Sequence, residues 1–108
     1  AIFLGMERHK KIAIIVTGED GIETQAEYQA ERVQIGRNAA MDFVLNSDSV
    51  SRRHCCLEWR PDGLFVVDLN SSSGVYLNGN RIDREAQLTN GSKLQIGQRL
   101  VRIDLVDD

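Results

Sequence analysis

The sequence predicts an all-β domain, a two-sheet β-sandwich assembled from about ten short strands. Three observations predict it. Apolar and β-branched residues come in short runs, most of them alternating with polar residues as half-buried strands do. Turn residues punctuate those runs at Gly18-Glu19-Asp20-Gly21, Pro61-Asp62-Gly63, Asn78-Gly79-Asn80, Thr89-Asn90-Gly91 and Gly97-Gln98. No stretch of about ten residues or more has the spacing of an amphipathic helix.

Taken in order, residues 1–10 read as a tail or a piece of linker, with Glu7 to Lys11 charged and solvated. The domain proper is expected over residues 11–108. Lys11 to Thr17 is a β-branched run, consistent with a buried strand, and the turn after it leads to Ile22 to Tyr28, more polar and alternating, its hairpin partner. Val33-Gln34-Ile35 alternates and stops at Gly36, which is expected to let the chain bend and expose Arg37. Asn38 to Met41 is loop or a short helical turn, and Phe43-Val44-Leu45 is a short strand ended by Asn46-Ser47-Asp48.

Period two then places Cys55, Leu57 and Trp59 on one strand face, expected to be the core side, and Cys56, Glu58 and Arg60 on the other. Cys56 is expected to be open to reagents there. Pro61-Asp62-Gly63 turns the chain back into Leu64 to Leu69, Val75-Tyr76-Leu77 is a short strand, and Asn78-Gly79-Asn80 is a tight hairpin turn. Lys93 to Ile96 follows, and Val101, Ile103 and Leu105 mark the inner face of the last strand.

Composition bounds the function. At 108 residues with 42% hydrophobic content, the chain makes one domain with one core and leaves no room for a second. It contains no apolar run of about 18 residues and no signal-peptide pattern, so the expectation is an intracellular, cytoplasmic protein without a membrane partner. Cys55 and Cys56 are adjacent and point to opposite strand faces, so they read as reduced thiols rather than a disulfide. A net charge of −3 argues against a general nucleic-acid binder, which needs a basic surplus. Any anion site must be local.

Such a site is suggested by three polar clusters that interrupt the apolar runs: Gly36-Arg37-Asn38, Ser51-Arg52-Arg53-His54, and Ser71-Ser72-Ser73-Gly74 with Asn78-Gly79 behind it. Each adjoins a strand, so the three loops can converge at one end of a sandwich. They would bring guanidinium forks together with small hydroxyls beside glycines, two kinds of phosphate-binding group.

The order Ile35-Gly36-Arg37, Val50-Ser51-Arg52-Arg53-His54, Asp68-Leu69-Asn70-Ser71-Ser72-Ser73-Gly74-Val75-Tyr76-Leu77-Asn78-Gly79, then Gly91 and Ile96-Gly97, resembles the forkhead-associated domain. The resemblance extends from about Lys11 onward. It implies a sandwich of about eleven strands whose loops at one end bind phosphothreonine in partner proteins, without a cofactor, as one domain of a larger protein. By the same resemblance Arg37 is the phosphate arginine, Ser51 the phosphate-binding serine and Arg52 a second cationic contact. Ser72 and Ser73 stand where the family usually has threonine and asparagine. Gly36, His54, Asn78 and Gly79 would support the loops, with Asp68 and Ser71 in similar work. His54 is expected to hold the preceding serine in place.

Each residue also has a plainer reading: Arg37 as a surface arginine beside a carboxylate, Ser51 as a turn cap, Arg53 as a solvated side chain. Ser73 departs from the family pattern, because serine is shorter than asparagine and lacks its amide.

The functional expectation is a phosphothreonine-dependent interaction module in Ser/Thr-kinase signalling, and no enzyme. Its alternative is the same fold used as a phosphate-independent assembly or self-association surface. A small enzyme or nucleotide binder is disfavoured, because Ser51 and His54 lack an orienting acid and the chain has no G-x-x-x-x-G-K-[ST] loop. Nor do His54, Cys55 and Cys56 suit one metal ion, since consecutive strand residues diverge and the other histidine, His9, lies in the tail.

Overall fold

The computed structural model describes residues 10–107. The tail reading of residues 1–10, His9 included, lies outside the described residues except at Lys10. Eleven strands run through the described chain: β1 (Lys11–Thr17), β2 (Glu23–Tyr28), β3 (Arg32–Gly36), β4 (Phe43–Val44), β5 (Cys55–Arg60), β6 (Gly63–Asp68), β7 (Val75–Leu77), β8 (Asn80–Arg81), β9 (Glu85–Leu88), β10 (Ser92–Ile96) and β11 (Arg99–Val106). They form a six-stranded sheet in the order β2-β1-β11-β10-β7-β8 and a five-stranded sheet in the order β4-β3-β5-β6-β9. All pairs are antiparallel except β3 with β4.

The core lies between the sheets. Ile12, Ile14 and Val16 of β1, Leu94 and Ile96 of β10, and Val101 and Ile103 of β11 meet Val33, Ile35, Cys55, Leu57, Leu64, Val66 and Leu88 from the other sheet. Alternation explains this set, because every second side chain of a strand faces the opposite sheet. Burying each aliphatic side chain is worth about 1.5 to 3 kcal/mol, so contact between the sheets is the main cohesive term. Trp59 packs partly buried against the same cluster.

β1 is buried on both faces, as expected of its unbroken apolar run. Ala13 and Ile15 point away from the core yet remain buried. Ile15 lies between Arg102 and Gln25 in the register, and Arg102 Nη1 reaches across β1 to Glu23 at 3.9 Å. Long polar side chains thus roof an apolar one.

Three sequence expectations are corrected. Cys56 does face away from the core, but it is as buried as Cys55. β5 is the middle strand of its sheet, with Gln34 and Val67 on either side of Cys56, so lateral neighbours close over a small side chain. The second correction concerns β8 and β9, in a stretch where the sequence reading placed no strand. The third concerns Gly36, taken up with the site below.

Register also decides where the polar loops go. Ile35 of β3 pairs with Cys55 of β5, and Cys55 pairs with Asp68 of β6. The end of β3, the start of β5 and the end of β6 therefore lie in one row. The loops 37–42, 45–54 and 69–74 leave the five-stranded sheet at the same end.

Candidate functional site

The first two loops are joined by backbone. Arg37 N–H donates to Ser51 O at 2.9 Å and Asn38 N–H to Arg52 O at 3.1 Å, while Arg37 Nε donates to Val50 O at 3.0 Å. One nitrogen of the guanidinium is thereby anchored, and its fork stays at the exposed surface. Because β4 runs parallel to β3, loop 37–42 must first return along the strand, and it protrudes. Asn38 shapes it, its Oδ1 accepting from Ala40 N–H at 2.9 Å and its backbone carbonyl from Met41 N–H at 3.0 Å.

Gly36 makes this junction possible by having no side chain. A Cβ there would overlap the Arg52 carbonyl and lie 2.8 Å from its carbon and 3.0 Å from Arg53 Cα. The sequence reading assigned Gly36 a bend. In the structure it is a buried strand residue against which a second backbone packs.

Serines join the second loop to the third. Ser72 N–H donates to Ser51 Oγ at 3.1 Å, and the two hydroxyl oxygens are 3.1 Å apart. Ser73 Oγ donates to Ser49 O at 3.0 Å. Within the third loop Asp68 Oδ1 accepts from Ser71 N–H at 2.9 Å, and Ser71 Oγ from Gly74 N–H at 3.0 Å. These two caps fold residues 68–74 into a tight arch. Asn70 takes φ 65° and Gly74 φ 82° in it, conformations that asparagine and glycine adopt most readily.

His54 holds the second and third loops from below. It is fully buried. Its Nδ1 accepts from Ser51 N–H at 3.0 Å and its Nε2 lies 2.8 Å from Gly74 O. An N–H faces Nδ1 and a carbonyl faces Nε2, so the ring is neutral and carries its proton on Nε2.

Arg52 and Arg53 are exposed beside the serine pair, and neither they nor Arg37 has an ion-pair partner among the described residues. The carboxylate neighbour of the plainer Arg37 reading is thus not present there. By contrast Arg60, remote from these loops, is paired with Glu58 at 2.8 Å and Glu85 at 2.7 Å, which is what an arginine in a structural role looks like. The site combines free cationic groups with two touching hydroxyls, an arrangement that fits a tetrahedral oxyanion.

Asn78 and Gly79 act one step away. They form the two-residue turn between β7 and β8, at φ 49° and 91°, the positive pair a primed hairpin turn needs. Asn78 Oδ1 accepts from Lys93 N–H at 3.0 Å, and Asn78 N–H donates to Lys93 O at 2.8 Å. The pair therefore ties the hairpin to β10, and Gly79 borders a groove beside Ser72 and Ser73.

Sequence reasoning missed Ser49. Its Oγ accepts from Gln98 N–H at 2.8 Å and lies 2.9 Å from Ser47 Oγ, while its carbonyl takes the Ser73 hydroxyl. Gly97, at φ 61°, leaves no room for a Cβ against it. The only signal in the sequence is a short hydroxyl immediately after the Asn46-Ser47-Asp48 turn. Arg81 was missed as well: a Cβ on Gly74 would lie 2.8 Å from Arg81 Nε, so the guanidinium covers that glycine.

Comparison with known proteins agrees with this architecture. The glycogen accumulation regulator GarA of Mycobacterium tuberculosis is 40% identical over 67 residues, 61% of this chain and 41% of that protein. The FHA domain-containing protein FhaB of Mycolicibacterium smegmatis is 28% identical over 96 residues, 89% of this chain and 62% of that protein. The chain thus spans less than two thirds of either relative. A structure solved for a structural and functional analysis of phosphothreonine-dependent FHA domain interactions superposes with a TM-score of 0.75 at 25% identity, covering 88% of this chain and 96% of that one. The FHA domain family itself matches residues 33–97, more than half of the 108 residues, and the chain belongs to that family.

Proposed function

We propose that this FHA domain binds phosphothreonine in partner proteins and connects them to Ser/Thr-kinase signalling, with Arg37, Ser51, Arg52, Ser72 and Ser73 forming the phosphopeptide surface. The observation that carries the assignment is the Ser51–Ser72 hydroxyl contact beside unpaired arginines on backbone-locked loops. A phosphate brings about −1.5 to −2 charges at pH 7 and acceptor oxygens only, and it meets donors here without displacing an internal ion pair. The FHA structure from work on phosphothreonine-dependent interactions supports the reading.

The domain acts as an interaction module, and we propose no catalytic role for it. A Ser51–His54 nucleophile pair requires an imidazole nitrogen facing the Ser51 hydroxyl. Both ring nitrogens instead face backbone groups, and the hydroxyl faces Ser72.

One observation favours the second reading, a phosphate-independent assembly surface: the Ser73 hydroxyl is turned inward to Ser49 O. Calorimetric titration with a threonine peptide in phosphorylated and unphosphorylated forms, the sequence chosen from an oriented library, separates the two. Binding restricted to the phosphorylated peptide is expected; equal binding of both forms would place the domain with the second reading.

A further inference from the structure

Beside the serine arch lies a groove of about 560 Å³ whose far side, formed by Asp48, Gln95 and Gln98, the phosphate reading leaves unused. Ser72 and Ser73 contribute to it from loop 69–74, Asp48 and Ser49 from loop 45–54, Gln95 from β10 and Gln98 from the turn after it. Three bonded connections hold this lining. Ser73 Oγ donates to Ser49 O, Gln98 N–H donates to Ser49 Oγ, and Gln95 Nε2 donates to Gly97 O at 3.2 Å. The groove is thus preformed, and it is continuous with the proposed phosphate site through Ser72.

Asp48 is the one charged residue among those lining the groove. Its side chain is exposed and has no hydrogen bond or ion pair among the described residues. Arg99, the cation that reaches the same loop, donates to Asn46 O at 3.4 Å and does not line the groove. Over the few residues from Asp48 to Arg53, the surface therefore changes from anionic to cationic. A partner that places phosphate at the arginine end meets a carboxylate and amide side chains at the other end.

We infer that the groove receives a lysine or arginine side chain flanking the phosphothreonine, with Asp48 as its acceptor. This inference rests on the phosphothreonine reading and adds the charge class of the neighbouring residue. Lysine or arginine suits the place because its head is all donor, and its stem can lie along the groove while the head reaches an exposed carboxylate. The pair is solvent-exposed, so its contribution to affinity is about two- to fivefold.

The test uses phosphothreonine peptides in which each flanking position carries lysine or glutamate in turn, measured by fluorescence anisotropy against the parent, Asp48→Asn and Asp48→Lys. In the parent, lysine should bind about two- to fivefold more tightly than glutamate at one position beyond any uniform preference due to the acidic net charge. Asp48→Asn should erase the excess at that position alone, and Asp48→Lys should invert it. No position-specific preference in a parent that binds phosphothreonine, or one that survives Asp48→Asn, overturns the inference and leaves the functional reading standing. A parent that binds no phosphothreonine peptide removes both. Circular dichroism on the variants excludes misfolding, which an exposed side chain without internal bonds should not cause.

Discussion

His54 Nδ1 accepts the backbone N–H of Ser51 at 3.0 Å, so a fully buried ring sets the height of the serine that meets Ser72. Through Nε2 the same ring reaches Gly74 O. One side chain thereby connects its own loop to Gly74, 20 residues further along the chain. His54→Ala should leave a partly buried N–H and a buried carbonyl without partners and open a cavity. The expected loss is about 2 to 5 kcal/mol in urea denaturation, with weaker phosphopeptide binding even where the fold persists. A loss well under about 1 kcal/mol would mean that water replaces the ring without cost.

Arg37 and Ser51 should separate by magnitude. A hydrogen bond to a charged group contributes about 1.5 to 3 kcal/mol, so Arg37→Ala should weaken phosphopeptide binding by at least about tenfold. Ser51→Ala should weaken it by somewhat less. Both variants should keep the parent's circular dichroism spectrum, since Arg37 is exposed and Ser51 keeps its backbone bonds. Parent-like affinity in Arg37→Ala would show the phosphate site to be elsewhere.

The thiols report on burial and on pH. Both cysteines should resist alkylation in the native state and react on unfolding, as timed labelling with mass spectrometry would reveal. Burial raises the Cys55 thiol well above its ordinary 9.0, with Asp68 and Cys56 adding to the effect. The folded protein therefore retains a proton that the unfolded chain releases as pH passes through about 9. Stability is unaffected by Cys55 below that point and falls above it, by up to about 1.4 kcal/mol per pH unit. Tyr28, raised by partial burial and by Asp42, acts in the same direction at higher pH. Replacing Cys55 with alanine should flatten the first part of that decline in a denaturation series, at the cost of a small core cavity.

Gly36 and Gly79 separate lack of space from backbone strain. Gly36→Ala forces a methyl against the Arg52 carbonyl and should cost about 1 to 3 kcal/mol, with an added loss of phosphopeptide affinity because Arg52 and Arg53 must move. Gly79→Ala meets open space but sits at φ 91°, so it should cost about 1 kcal/mol and leave affinity nearly unchanged. Equal affinity losses in the two would mean that the β7–β8 turn also touches the peptide.

The strands with two-residue periodicity, β3, β5, β10 and β11, were legible because alternation follows directly from facing a core, β1 because its apolar run marks a strand covered on both faces, and β6 because Pro61-Asp62-Gly63 turns the chain back into it. Convergence of the loops was legible too, since each polar cluster adjoins a strand. What stayed hidden depends on neighbours in space. β9, Glu-Ala-Gln-Leu, has little intrinsic strand preference and is a strand because β6 offers its edge to it. Cys56 is buried by the strands beside it. Ser49 acquires its importance from Ser73 and Gln98, 24 and 49 residues away, and nothing local marks it. Gly36 looked like a bend because the approach of the Arg52 backbone is a tertiary fact.

Ser73 is where the chain leaves its family's pattern, and there the phosphothreonine reading and its rival diverge most. Its hydroxyl already donates to Ser49 O, which leaves only an oxygen lone pair for a bound peptide. Asparagine at this position could donate its amide N–H and still offer its carbonyl, adding one or two hydrogen bonds worth about 0.5 to 1.5 kcal/mol each. Ser73→Asn should therefore tighten phosphothreonine binding several-fold. The gain should come mainly from slower dissociation, because contacts completed after encounter act on the off-rate; stopped-flow or surface-plasmon measurements would resolve it. If the domain works without phosphate, the substitution leaves phosphopeptide binding undetectable. An unchanged off-rate in a domain that plainly binds phosphothreonine would show that position 73 supports Ser49 and does not reach the peptide, and would confine the recognition surface to Arg37, Ser51, Arg52 and Ser72.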